Sequence, residues 1–203
     1  MKTFSIIISV ILSLSLCCGV LGQSSFGLRT ADRGVYAPVF DADGRLLDGP
    51  DYSAELWAGP TPDSLTPAMA PFSNQRVIVP FLSGAGAGFF RDTYDGRDGA
   101  DTPSIMTVPP GGSAWLEVRA WDARLGATYE EVLALGIGGY GASPLFNATG
   151  GNPYDLLGLP PPLTGLQSFS LAVVVPEPST WALLVCGGLG LWAMRRMRCR
   201  TGL

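Results

Sequence analysis

The chain has 203 residues, of which 27 are Gly and 17 are Pro, and its formal net charge is −4. It contains no His and a single Lys, Lys2, so the remaining basic residues are all Arg. These absences exclude catalytic devices that need His, His-ligated metal sites, and phosphate loops or Schiff bases that need Lys in the folded part.

Residues 1–22 predict a secretory signal. Lys2 precedes an apolar run, Phe4–Leu16, that is interrupted by several Ser residues. Small residues then lead to a cleavage site after Gly22. The run is too short to span a bilayer comfortably. We therefore expect signal peptidase to remove this segment, so that the mature chain begins at Gln23. A retained N-terminal anchor and lipidation at one of the two adjacent cysteines are the alternatives.

Residues 23–175 form one predicted domain, long enough to bury a hydrophobic core. This body holds 8 Arg against 16 acidic residues, a charge near −8, and it contains no Lys, His or Cys. Disulfides therefore do not hold it together, and its acidity argues against nucleic acid as a partner. Dense Gly and Pro disfavour long helices, whereas plentiful aromatic and β-branched residues indicate an ordered fold rather than disorder.

The sequence predicts a mainly β fold, a single antiparallel β-sandwich with one short helix, followed by a C-terminal transmembrane helix. Asp43-Gly44, between two short apolar runs, predicts a hairpin turn. Apolar runs between turn residues predict the strands Val35–Phe40, Ala54–Trp57, Arg76–Leu82, Ser104–Val108, Ala114–Trp121 and Leu166–Val175.

Two acidic turns, Asp41–Gly44 and Asp92–Asp101, offer oxygen ligands of the kind that calcium prefers. Counted from Asp41, the places that an EF-hand fills with Gly and Glu hold Leu46 and Tyr52, so that motif is absent. A solvated acidic loop is the alternative, and no other cofactor is expected. The candidate calcium ligands are Asp92, Asp95, Asp98 and Asp101.

The clearest predicted strand is Ala114–Trp121, which alternates between two faces. Leu116, Val118 and Ala120 share one face, which we expect to lie in the core. The opposite face is a candidate ligand-binding surface, because two tryptophans about 20 Å apart can flank an oligosaccharide with charged groups between them. The alternative is that both rings are core residues beneath a loop or a second sheet. The candidate residues are Trp115, Glu117, Arg119 and Trp121.

A short helix is predicted over Tyr129–Leu135. Thr128 and Glu131 form a capping box at its start, and Gly136 is a stop signal. The following run, Gly136–Gly141, fits the G-x-G-x-x-G pattern, but a dinucleotide site needs a strand before it and a helix after it. The predicted helix comes first, so a glycine-rich loop is the preferred interpretation.

The C-terminus combines three features in a fixed order, over residues 176–203. A Pro-rich motif precedes an apolar segment, 180–194, and the chain ends in a basic tail, 195–203. Over 179–194 a helix would be about 24 Å long, somewhat short of a hydrocarbon core of about 30 Å. Local bilayer thinning and Arg snorkelling compensate for such a mismatch. The basic residues, expected on the cytoplasmic side, are Arg195, Arg196, Arg198 and Arg200.

This ending resembles the PEP-CTERM sorting signal, with Pro176, Glu177 and Pro178 as the motif. The resemblance implies that the chain is a substrate of an exosortase, a membrane-embedded Cys transpeptidase of Gram-negative bacteria that make extracellular polysaccharide. The chain would be anchored in the inner membrane, then cut near the motif and passed to the cell surface or matrix. A plain single-pass anchor is the alternative. Phrases of the body, at 54–60, 118–123 and 165–169, resemble an uncharacterised domain of such exported proteins.

We therefore expect an exported structural or adhesive protein of the cell surface or extracellular matrix, and not an enzyme. One alternative is a carbohydrate-binding module for extracellular polysaccharide. A third hypothesis is an extracellular hydrolase, which would need two carboxylates at a defined separation. The carboxylates available on predicted elements are those of Glu55, Glu117, Glu130 and Glu131.

Overall fold

The computed structural model describes residues 23–92, 102–153 and 159–172. This part of the chain is mainly β, with largely antiparallel sheets and one α-helix, which confirms the predicted fold class at that level. Two 3-10 turns cover Pro62–Ser64 and Gly84–Gly86. The strands and the helix are β1 (Ser24–Ser25), β2 (Ala31–Asp32), β3 (Val35–Tyr36), β4 (Val39–Phe40), β5 (Tyr52–Gly59), β6 (Thr66–Pro67), β7 (Ile78–Pro80), β8 (Ser104–Ile105), β9 (Ser113–Asp122), α1 (Tyr129–Leu135), β10 (Tyr140–Ala142), β11 (Phe146–Thr149) and β12 (Phe169–Ser170).

The largest sheet is built on β5 and β9, which pair antiparallel from Tyr52 opposite Asp122 to Gly59 opposite Trp115. β10 and β11 pair with the far edge of β9, and β6 and β7 pair with the far edge of β5. Alternation along the two central strands sends their aliphatic side chains to one side, here called the inner side. The inner side carries Ala54, Leu56, Ala58, Ala114, Leu116, Val118 and Ala120, each at most 1% exposed.

One hydrophobic cluster joins the inner side to the shorter strand pairs. β1 pairs with β8 and β2 with β3, both antiparallel, whereas β4 runs parallel to β12. Large side chains from these strands and their loops fill the space above the small alanines of the sheet. Phe81 and Phe90 meet edge to face with ring centroids 5.2 Å apart. Other fully buried members are Phe26, Leu28, Val39, Leu47 and Leu163.

The helix forms where it is predicted, over Tyr129–Leu135. The hydroxyl of Thr128 accepts a hydrogen bond from the N–H of Glu131 at 3.3 Å, which caps the first turn. The carboxylate of Glu131 bonds the N–H of Ala127 at 2.7 Å, so the reciprocal half of the capping box is displaced by one residue. Gly136 ends the helix in the left-handed conformation, with φ 64°.

Two turn predictions are confirmed. At Asp43-Gly44 the chain reverses, with Phe40 bridging to Leu46 and Gly44 at φ 80°. The Gly136–Gly141 run turns the chain from α1 into β10, and three of its glycines have positive φ. The helix precedes this run and a strand follows it, which is the reverse of the order in a dinucleotide site.

Several strands are shorter than the apolar runs that predict them. Ile78–Pro80 forms within the predicted 76–82, Ser104–Ile105 within 104–108, and Phe169–Ser170 within the described part of 166–175. Isolated bridges join much of the remaining chain. Pro80 lies within the first of these runs, and Pro103, Pro109 and Gly165 flank the other two. Pro lacks the N–H that a ladder needs, and Gly adds no side chain to pack.

Candidate functional site

The outer side of the main sheet, opposite the core, holds the residues that the sequence singles out on β9. Directly opposite residues of an antiparallel pair point to the same side. The register therefore groups Glu117 with Trp57 and Arg119 with Glu55, while Trp115 faces Gly59. These charged and aromatic side chains form a cross-sheet network, defined as Glu117, Arg119, Trp57, Glu55, Arg76 and Glu130, whose contacts are described below.

Arg119 stacks on the indole of Trp57. Its guanidinium carbon lies 3.7 Å from the ring centroid, and its Nε donates to Oε2 of Glu117 at 2.6 Å. This is a cation–π contact whose cation is also held by a neighbouring carboxylate. The guanidinium therefore occupies one face of the Trp57 ring, and that face is closed to a stacking ligand.

Glu55 is the buried member of the network, only 1% exposed. Its Oε1 accepts a hydrogen bond from Nε1 of Trp57 at 2.7 Å, and its Oε2 lies 3.4 Å from Nε of Arg76. Neither Oε2 of Glu55 nor Nε of Arg76 has a hydrogen-bond partner among the described residues. Desolvation raises the pKa of the Glu55 carboxyl, and the Trp57 and Arg76 contacts offset only part of that effect.

Arg76 connects the network to α1. Its two terminal nitrogens donate to the two carboxylate oxygens of Glu130 at 2.6 and 3.1 Å, a bidentate pair. This hydrogen bonding lowers the pKa of Glu130. The ion pair bridges residues 54 positions apart and holds the first turn of the helix against the sheet.

Trp121 is fully buried at the end of β9. It packs beneath α1 in a second hydrophobic cluster with Tyr129 and Val132, and Tyr140 flanks this cluster. Its Nε1 donates to the carbonyl oxygen of Gly126 at 3.1 Å. The hypothesis that Trp121 helps to flank an oligosaccharide is therefore wrong, because the helix covers the ring.

Trp115 is half-buried at the opposite end of the same strand. Its neighbours across the sheet are Gly59 on β5 and the exposed Asn147 on β11. The four candidate residues on β9 thus divide among three environments. Trp115 lies beside small and polar neighbours, Glu117 and Arg119 belong to the network, and Trp121 is core.

The glutamates considered for hydrolysis are all hydrogen-bonded to protein donors. Glu55 accepts from Trp57 and Glu117 from Arg119, as described above, while Glu130 accepts from Arg76 and Glu131 from Ala127. The bonds of Glu55 and Glu117 each lie within one strand, whereas that of Glu130 joins the segment before β7 to α1. The pair of Arg76 and Glu130 therefore holds separate elements together.

Among the hollows lined by described residues, two adjoin the main sheet. One, of about 210 Å³, lies beside Arg76 and β7. The other, of about 180 Å³, lies between the Asp41–Asp43 turn, Gly139 and Ala172. Both are smaller than the roughly 300–1,000 Å³ typical of small-molecule pockets.

Asp92 is the one candidate calcium ligand within the described residues, and its side chain is fully buried. Its Oδ2 accepts a hydrogen bond from the N–H of Leu28 at 2.8 Å, and its Oδ1 accepts one from Nε of Arg29 at 2.9 Å. Asp95, Asp98 and Asp101 lie outside the described residues, so the calcium hypothesis stays a prediction. Across 23–92, 102–153 and 159–172, no three potential metal-ligating side chains cluster together.

Two members of the network, Trp57 and Arg76, were not singled out from the sequence, and Glu55 and Glu130 were considered only as carboxylates for a hydrolase. A signal for Trp57 exists, because Glu55-Leu56-Trp57 alternates and so places Glu55 and Trp57 on one side of a strand. Nothing local indicates that Arg76 and Glu130 meet there, since both contacts join separate parts of the chain.

The sorting motif, Pro176–Pro178, the apolar segment 180–194 and the four tail arginines lie outside the described residues. No helix within the described ranges is both long and apolar enough to cross a membrane. No protein-family model matches the chain, and no curated protein or solved structure is significantly similar to it.

Proposed function

We propose that the chain is an exported protein of the cell surface or extracellular matrix, with a structural or adhesive role, and that an exosortase processes it. The single observation that carries the proposal is the ordered C-terminal ending, in which Pro176-Glu177-Pro178 precedes the apolar segment and the Arg-rich tail. Two prolines favour an extended backbone that a processing enzyme at the membrane face can reach.

The predicted body, residues 23–175, lies between the two predicted addressing segments. Within it the charged side chains of the outer sheet side bond one another, which suits a stable binding or structural body. We further propose that the short strand pairs form the second layer of a β-sandwich and that residues 180–194 form the transmembrane helix.

Mass spectrometry of the intact chain tests the sorting proposal. The full chain is expressed in a Gram-negative bacterium with a working exosortase and in the same strain without it. We expect the mature species of the first strain to lack the four tail arginines, and that of the second to retain them. A Glu177→Ala variant should retain the tail in both strains, while the matched Glu131→Ala variant should be cut normally. An intact tail in the strain with the exosortase would contradict the proposal.

A carbohydrate-binding role is the second candidate, and the half-buried Trp115 favours it. Its neighbours across the sheet are Gly59, against which Ser64 packs closely, and the exposed Asn147, so a sugar would reach the ring from the Asn147 side. A glycan array with the full chain and with Trp115→Ala tests this. Binding that is lost in Trp115→Ala but kept in Asn74→Ala, a substitution in a separate turn, supports the role. Equal binding by all three would exclude Trp115 as the contact.

A further inference from the structure

We propose that four uncharged residues at one end of the main sheet bind a sugar ring of a neutral polysaccharide and discriminate against acidic sugars. These residues define the neutral patch: Ser113 and Trp115 on β9, and Asn147 and Thr149 on β11. The inference deepens the carbohydrate-binding candidate and rests on it, because it adds the polar contacts and the class of sugar. It does not depend on how the C-terminus is processed.

The pairing of β9 with β11 places the four side chains of the neutral patch on one surface. Trp115 lies directly opposite Asn147, and Ser113 lies directly opposite Thr149. Directly opposite residues of an antiparallel pair point to the same side of the sheet, as do residues two apart along one strand. The alanines that alternate with them are buried on the inner side. The neutral patch therefore lies on the outer side.

The size of the neutral patch fits one sugar ring. Ser113, Asn147 and Thr149 are exposed, and Trp115 is half-buried. Neighbouring strands lie about 5 Å apart, and residues two apart along a strand lie about 7 Å apart. A pyranose ring over Trp115 thus brings its hydroxyl groups within reach of the three polar side chains.

The rings of the other two described tryptophans are already in use. The guanidinium of Arg119 stacks on Trp57, and α1 packs over Trp121. Trp115 stays partly exposed although it lies on the same side of the sheet. An aromatic ring with a few polar groups around it is the usual composition of a site for a small ligand, in which the polar groups fix the orientation.

The surroundings of Trp115 determine the direction from which a sugar approaches. The 3-10 turn that ends at Ser64 packs closely against Gly59, the neighbour of Trp115 on β5. On β11 the neighbour is the exposed Asn147. The approach is therefore from β11, which is the strand that carries two of the three polar side chains.

The polar groups of the neutral patch suit the hydroxyl groups of a sugar. The amide of Asn147 carries both donors and an acceptor, and the hydroxyls of Ser113 and Thr149 each donate and accept. All three residues are exposed. By contrast, Glu117, the next outer residue of β9, already binds Arg119 at 2.6 Å.

Charge favours a neutral sugar over an acidic one. The neutral patch has no formal charge, and acidic residues flank it. Glu117 follows Trp115 on the same side of β9, and exposed Asp63 precedes Ser64 on the turn beside Gly59. The body as a whole carries a charge near −8. This surrounding repels the carboxylate of a uronic acid and leaves a neutral hexose unaffected.

Isothermal titration calorimetry with paired oligosaccharides tests the inference. The probes are α- and β-linked oligomers of glucose, galactose and mannose, each beside the uronic-acid oligomer of the same sugar, linkage and length. The full chain is used in a zwitterionic detergent, because a detergent with a sugar headgroup would compete. We expect a neutral oligomer to bind about tenfold or more tightly than its uronic-acid counterpart.

Substitutions in the neutral patch locate the binding. Trp115→Ala should weaken the neutral oligomer about tenfold or more, and Trp115→Phe should keep most of the affinity because an aromatic face remains. Asn147→Ala and Thr149→Ala should each weaken it about two- to tenfold. The matched control is Asn74→Ala, in an exposed turn elsewhere, which should leave the affinity unchanged. The Asn147 and Thr149 variants alter only exposed side chains, so they test the site even if Trp115→Ala does not fold.

The outcomes separate the inference from the candidate function on which it rests. Unchanged affinity in Trp115→Ala, or in both β11 variants, would overturn the neutral patch as the site. Uronic-acid oligomers that bind as tightly as neutral ones, and lose affinity in Trp115→Ala, would overturn the neutral class and leave the carbohydrate role in place. Binding of no probe would overturn both, whereas the sorting proposal has its own test by mass spectrometry.

Discussion

Truncating Trp121 tests whether α1 and the end of β9 form a second core. Trp121→Ala removes a ring that is 0% exposed and leaves a cavity between the sheet and Val132 of the helix. Large-to-small substitutions of this kind cost about 3–5 kcal/mol of the free energy of unfolding. The carbonyl oxygen of Gly126 also loses its indole donor, which adds about 1 kcal/mol or more.

The control is Trp115→Ala on the same side of the same strand. Because Trp115 is half-buried, we expect its truncation to cost about 1–2 kcal/mol. Thermal unfolding of the purified chain, followed by near-ultraviolet circular dichroism, separates the two. For a domain of this size each kcal/mol lowers the melting temperature by about 2–4 °C.

Trp121→Phe provides a milder step in case the alanine variant does not fold. It keeps an aromatic ring under α1 and loses the hydrogen bond, so we expect a loss of about 1–2 kcal/mol. The reasoning would be refuted if Trp115→Ala were as destabilising as Trp121→Ala. It would also be refuted if Trp121→Ala stayed within about 0.5 kcal/mol of the wild type, the range of ordinary surface substitutions.

Three further predictions concern the network, a close backbone approach and the helix cap. Burial raises the pKa of Glu55 above its usual 4.5. The stability that protonated Glu55 contributes is therefore present below pH 4.5 and is lost as the pH rises through the folded-state pKa. Urea midpoints measured across pH should fall accordingly in the wild type, and an equal fall in Glu55→Gln would contradict this. Gly59→Ala should cost about 1–3 kcal/mol because its Cβ would overlap the carbonyl oxygen of Ser64, whereas Gly27→Ala, with its nearest atoms at 3.4 Å, serves as the tolerated control in the same denaturation series. Thr128→Ala removes the cap of α1 and should lower the free energy of unfolding by about 1 kcal/mol. Thr128→Ser keeps a hydroxyl and should retain most of that stability. Equal stability of the two variants would show that the cap does not stabilise the helix.

Alternation along β9 predicts which residues share a side, and it does so correctly for the whole strand. It does not predict how that side is covered. Trp115 and Trp121 have the same parity, yet one is half-buried and the other is fully buried, because α1 packs over one end only. The capping residues and Gly136 locate α1 along the chain, but the surface that it covers depends on contacts between distant segments.

The contacts of the network, like the covering of Trp121, depend on distant segments that the local sequence does not bring together. The spacing of Glu55 and Trp57 is a local property and can be read from three adjacent residues. The meeting of Arg76 with Glu55 and Glu130 depends on two long-range contacts that bring β7, β5 and α1 together. Composition indicates short strands only in general terms, because Pro occurs within the runs 35–40 and 76–82 while Pro and Gly flank the others. It cannot say which two or three residues of a run keep their ladder bonds.

The position of α1 depends on the network and on the second hydrophobic cluster, which contact it from the sheet. Trp121 packs beneath the helix and the Arg76–Glu130 pair holds its first turn, so the sheet fixes one side of α1. Leu133 and Leu135 lie on either side of the buried Val132, and Ile137 follows the helix end, so these side chains remain outside. The residues that secure the helix therefore also determine which of its side chains are buried and which are exposed.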